Sequence, residues 1–141
     1  MTTRTATAEW TGGLKDGSGT MALGSGAYKG EYGFKSRFES GPGTNPEELI
    51  GAAHAGCFSM AFSLILGNEG FTPRRIHTDA KVHLESKDGG FAITRIELEN
   101  ESEVEGIDNA KFQELADVAK KNCPVSKALA GVEIQLRAKL A

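Results

Sequence analysis

Two cysteines, Cys57 and Cys123, carry most of the chemistry open to this 141-residue chain. A thiolate is a nucleophile, a metal ligand and half of a disulfide, and each role asks for different neighbours. From 57 to 123 is 66 positions, so neither a CxxC redox motif nor local zinc-ligand spacing is present. The residues alone leave open inert core side chains, a structural bridge and a functional pair. Cys57 lies within LIGAAHAGCFSMAFSLIL on a helical face with Ala53, Met60 and Leu64, where a cysteine is most simply a small core residue. Cys123 follows two lysines and an asparagine and precedes Pro124, which puts its sulfur near the first amides of a new helical turn. Amides and cations favour thiolate over thiol. His54 is three residues from Cys57, and His77 and His83 fall in a strand region, short of the three or four ligands a zinc site needs. No metal is expected, and His54 reads as packed or hydrogen-bonded.

The elements that must position these residues are marked in the pattern. Thr5 to Trp10, Gly19 to Leu23 and Tyr32 to Phe38 alternate and are separated by Gly-containing turns, which predicts three strands. After GPGTN a helix begins: Asn45 can cap it, Pro46 suits its first position, and Glu48 stands where a capping-box carboxylate reaches back. The run that follows is apolar or small on nearly every side, which predicts a helix buried all round. Gly51 and Ala55, and Ala52 and Gly56, form small-xxx-small pairs that let a second helix come close. Arg74 to Lys87 and Phe91 to Glu103, joined by DGG, read as a long hairpin. Asp108 caps a second amphipathic helix that runs into Cys123, Pro124 starts a short turn of helix, and VEIQLRAKL is a last strand. The order βββαββααβ, with strands in runs, argues for α+β in a single domain, residues 1–141.

Sixteen basic against 19 acidic residues, net charge -3, with no basic run, argues against nucleic acid as a partner. MTTRTATAEW has no apolar leader, and the one long apolar run carries His54 amid strand-rich sequence, so it reads as a core helix and no membrane partner is expected. The expected compartment is the cytoplasm, whose reducing poise disfavours a permanent bridge.

TNPEELIGAAHAGCFSMAFSLILGNEGFTP and KNCPVSKAL closely resemble the two cysteine motifs of the osmotically inducible protein C and organic hydroperoxide resistance family, OsmC/Ohr. Similarity of layout, including YGFKSRF and GFAITRIELE, extends over nearly the whole chain. The arginine after the third strand looks more like the OsmC branch. The resemblance implies an OsmC-like fold, with a long central helix against curved antiparallel sheets in an intertwined homodimer. It also implies a peroxidase for organic hydroperoxides, with Cys57 as peroxidatic and Cys123 as resolving cysteine, and Arg37 and Glu47 matching the arginine and glutamate that assist. No bound cofactor is implied. The implied reductant is an external dithiol, a dihydrolipoyl group carried on a protein.

Without the resemblance, Arg37 reads as a solvated strand residue and Glu47 as a helix-dipole carboxylate. Helix geometry separates Glu47 from its neighbour: Glu47 is about 80° around the axis from Cys57, Glu48 about 180°. Ten residues, however, put Glu47 roughly 15 Å from Cys57 along the axis. An antiparallel second copy of the helix would bring its Glu47 alongside Cys57, which predicts two sites at a two-fold interface. Apolar surroundings at Leu49, Phe38, Phe58, Met60 and Phe62 would select bulky hydroperoxides over hydrogen peroxide. The non-enzymatic alternative is a stress protein binding a small apolar ligand in the dimer groove.

Overall fold

A computed structural model describes residues 2–141, and its chain forms two compact units that meet in sequence at Leu49 and Ile50. In the first unit, β1 (Ala6–Thr11), β2 (Ser18–Leu23) and β3 (Lys29–Tyr32) form an antiparallel sheet in that order. Gly19 has to be glycine: a Cβ there would lie 2.6 Å from both the Trp10 and Tyr32 rings, which cross above it at 5.4 Å between centroids. β1 is exposed along its whole length.

Here the first difference from the sequence reading appears. The expected strand Tyr32 to Phe38 ends at Tyr32, and Phe34–Phe38 is a short helix, α1, so the order is βββααββααβ. The alternation of FKSRF also places Phe34 and Phe38 four apart, and their rings meet at 5.1 Å on one helical face. Ser36 secures the turn by accepting from the Gly33 amide at 2.9 Å and donating to the Gly33 carbonyl at 3.1 Å. Five residues of alternation fit either period.

The long helix α2 (Pro46–Asn68) begins in the first unit and runs through the second. Asn45 caps it, its Oδ1 accepting from the Glu48 amide at 2.7 Å. It is not buried all round. His54, Phe58, Phe62 and Leu66 form its buried stripe at the i, i+4 spacing of one face. Ala52, Ala53 and Gly56 are exposed on the opposite side with Met60 and Leu64, which are 78% and 65% exposed. The expected small pairs divide accordingly: Gly51 faces its own sheet, where a Cβ would stand 3.3 Å from Val82, whereas Gly56 meets open space.

β4 (Pro73–Lys87) and β5 (Gly90–Val104) form the expected hairpin, turned by Asp88 and Gly89, both at positive φ. α3 (Asn109–Asn122) is capped by Asp108, whose carboxylate accepts from the Lys111 amide at 2.8 Å. Cys123 separates it from α4 (Pro124–Ala128), and β6 (Glu133–Leu140) follows. The expectation of antiparallel sheets fails at β6, which lies parallel to β5, Arg95 opposite Glu133 through Ser102 opposite Leu140. α3 and α4 form the crossover that such a return requires. Phe58, Phe62 and Leu66 of α2 close the core with Ile96 and Leu98 of β5 and Phe112, Leu115 and Ala119 of α3. Phe62 stacks between Phe58 and Phe112, at 5.7 and 5.3 Å.

Candidate active site

The four candidate residues form two pairs, one in each unit. In the first, Arg37 of α1 donates from Nε to Glu47 Oε1 at 2.9 Å. The local fold makes this pairing through Asn45, which caps α2 and also donates to the Ser36 carbonyl of α1 at 2.9 Å. Glu48 is occupied elsewhere: its Oε2 accepts from the Thr44 hydroxyl at 2.7 Å, instead of reaching back to the Asn45 amide as a capping box would. Glu47 is buried, and its second oxygen, Oε2, has no hydrogen-bond partner among the described residues. The guanidinium also lies 5.3 Å over the Phe38 ring. Beside it opens a pocket of about 240 Å³ lined by Trp10, Leu14, Tyr32, Gly33, Phe34, Arg37 and Phe38.

In the second unit α2 presents Cys57 to Cys123, which caps α4. Both are free thiols, Cys57 half-buried and Cys123 fully buried, and each shifts the other's ionisation. Burial pushes the Cys57 thiol up, and donating its proton to Cys123 pushes it further, against one hydrogen bond from the Val125 amide. Burial also opposes ionisation of Cys123, but hydrogen bonds from Cys57 and from the Ser126 amide and hydroxyl outweigh it and hold that thiol below its ordinary value. Within the unit, Cys123 is therefore the easier of the two thiols to ionise.

Of the aromatic and aliphatic side chains expected around a pocket, Phe38 lines the one beside Arg37. Phe58 and Phe62 are fully buried in the core and Met60 faces outward. Trp10, Leu14, Tyr32 and Phe34 were not singled out by sequence, because they gather only once β1, β3 and α1 are in place. Ser126 was also missed. His54, fully buried, sits 2.8 Å from its hydroxyl, and the spacing of His54 and Cys57 on one helix was the only hint. Among the described residues no three His, Cys, Asp or Glu side chains gather as a metal site would require.

A model of the OsmC-like protein family matches residues 39–137. Peroxiredoxin OsmC of Escherichia coli (strain K12) is 54% identical over 123 residues, 86% of each chain. The organic hydroperoxide resistance protein of Xanthomonas axonopodis pv. citri (strain 306) is 36% identical over 92 residues, 64% of this chain and 63% of that one. The crystal structure of the organic hydroperoxide resistance protein OhrB of Bacillus subtilis superposes with a TM-score of 0.71 at 26% identity, covering 97% of this chain and 98% of that one. Both cysteine pair and flanking elements fall within the matched span, and the chain belongs to the OsmC-like protein family.

Proposed function

We propose that this chain is a thiol-dependent peroxidase that reduces organic hydroperoxides to alcohols. The observation that carries the reading is the pair of free thiols, on α2 and at the start of α4, each of which shifts the other's ionisation. Cys57 is the peroxidatic residue: its thiolate attacks the distal oxygen of ROOH, the O–O bond breaks, the alkoxide takes a proton to leave as alcohol, and a sulfenic acid remains. Cys123 condenses with it to give a disulfide and water. The chemistry needs no prosthetic group, only a thiol reductant to reopen the disulfide. The reductant we propose is a dihydrolipoyl group on a protein, and turnover with dihydrolipoamide against thioredoxin tests it.

A thiol that its own unit pushes up needs a cation to ionise, and Arg37, held by Glu47, is the candidate for stabilising the thiolate and gripping the peroxide oxygens. Our proposal is a homodimer in which Arg37 and Glu47 of one chain serve Cys57 of the other. Supporting it are the ten-position separation of Glu47 and Cys57 along one unbroken helix, the bare apolar side of α2 and the uncovered β1. The pocket beside Arg37 would receive the organic group of the substrate. We further propose that residues 1–141 act as one domain and that the protein works in the cytoplasm. The family match spans the point where the two units meet in sequence, which supports the first of these.

Mass spectrometry after one equivalent of cumene hydroperoxide tests the central reading. The chain is expected to lose two hydrogens as a Cys57–Cys123 disulfide. Two untouched thiols would sink it and favour a binder of small apolar ligands.

A further inference from the structure

His54 and Ser126 form a buried polar pair that peroxide attack does not use. His54 lies one helical turn before Cys57, fully buried, and Ser126 lies three residues after Cys123, 7% exposed, with His54 Nε2 and Ser126 Oγ at 2.8 Å. Ser126 stands at the start of α4, and its hydroxyl and amide lower the pKa of the Cys123 thiol. The direction of the chain follows from the other ring nitrogen. Nδ1 of His54 is buried with no partner among the described residues, and a bare lone pair is cheaper to bury than a bare N–H. The ring proton therefore resides on Nε2 and points at Ser126 Oγ, which leaves the serine proton for Cys123. Burial holds the imidazole neutral, so it acts as an oriented dipole and not as a charge.

We infer that His54 and Ser126 are positioning residues for the second half of the reaction, aligning donors on Cys123 so that it meets the oxidised Cys57 as a thiolate. The inference rests on the peroxidase reading. In the step, Cys123 S⁻ attacks the sulfur of the Cys57 sulfenic acid, the S–S bond forms and the S–O bond breaks. Hydroxide leaves and takes a proton from solvent as water. Cys123 is oxidised and the Cys57 sulfur reduced from the sulfenic to the disulfide level. The groups that bear on the Cys123 sulfur are Cys57 from α2, with His54 behind Ser126, and the Val125 and Ser126 amides from α4. The charged residues nearest Cys123 along the adjoining helices are Lys120 and Lys121 in the last turn of α3 and Lys127 in α4. Lys121 is paired with Asp117, and Lys121 and Lys127 are exposed.

The test needs no peroxide. In a Cys57→Ser chain, which keeps an O–H beside it, Cys123 is the sole thiol, and its thiolate ultraviolet absorbance against pH reports its ionisation. Adding Ser126→Ala is expected to raise the midpoint by about one pH unit, about tenfold in the ionisation constant. Ser126→Thr, which keeps the hydroxyl, is expected to leave it in place. His54→Phe keeps a ring without the donor and is expected to raise the midpoint by a smaller step, so it decides the matter should Ser126→Ala fail to fold. A midpoint that stays put in the folded variants overturns the inference. In the two-cysteine chain, Ser126→Ala is then expected to slow disulfide closure after cumene hydroperoxide about tenfold at acidic pH, with recovery as pH rises. A uniform slowing at every pH would mark a merely structural role and also overturn it. Absence of any Cys57 oxidation would refute the peroxidase reading while leaving the titration result intact.

Discussion

Arg37 Nε donates to Glu47 Oε1 at 2.9 Å, while Glu48, one residue on, is held by Thr44 at 2.7 Å. Adjacent carboxylates in one helical turn thus have separate duties, one fixing a guanidinium and one fixing the entry to α2. If the guanidinium grips peroxide through its planar fork, Arg37→Lys should lower kcat/KM for cumene hydroperoxide by about tenfold to a hundredfold, roughly 1.4 to 3 kcal/mol. Glu47→Gln should lower it by a smaller factor, and Glu48→Gln should leave it unchanged. Steady-state kinetics decides, and equal losses from the two glutamate variants would refute the division.

The bare side of α2 makes a different prediction. Met60→Glu combined with Leu64→Glu touches no core residue of this chain, since both side chains face outward. The pair should convert a dimer to a monomer in sedimentation velocity and lower peroxidase activity at least about tenfold, because charge on that face cannot be buried against a second copy. An active, well-folded monomer would refute the shared site.

His54 gives the fold a pH dependence whose sign follows from its burial. Its pKa is held below the ordinary 6.5 because the imidazolium cannot be hydrated there. The unfolded chain binds that proton more readily, so the contribution is complete above pH 6.5 and is lost as pH falls through the window beneath it toward the lowered folded value. Thermal melts from about pH 7 to 5 should show Tm falling with acid, and His54→Gln should flatten that slope. An unchanged slope would show that other groups set it.

Aromatic residues in the two units should respond in opposite ways to truncation. Phe62→Ala opens the centre of the Phe58–Phe62–Phe112 stack and should cost about 3 to 5 kcal/mol in denaturant unfolding. Phe34→Ala, at the pocket beside Arg37, should cost about 1 kcal/mol and raise KM for cumene hydroperoxide without raising it for hydrogen peroxide.

The contrast between those phenylalanines shows where sequence was legible. The caps at Asn45 and Asp108, the Asp88–Gly89 turn and the break at Pro124 are local chemistry, and each sits where its residue type dictates. Glu47 was separable from Glu48 because helix geometry is also local. The short helix carrying Arg37 was not legible, since FKSRF satisfies a period of two as well as an i, i+4 ring pair. Nor was the division of α2 into a core face and a bare face: its residues are apolar or small on both sides, and only the placement of β5 and α3 decides which side is covered. The parallel pairing of β6 and the meeting of His54 with Ser126 are long-range outcomes of the same crossover. No pattern within a window of residues encodes them.

That crossover has a thermodynamic consequence for the redox cycle. Cys123 lies at the joint between α3 and α4, and the chain from Cys57 to that joint contains the whole β4–β5 hairpin and all of α3. Closing the disulfide would make a covalent ring of most of the second unit and restrict its unfolded ensemble by about 4 kcal/mol. Each turnover would then alternate the protein between a linear and a ringed topology, the ringed one being harder to unfold while it waits for a reductant.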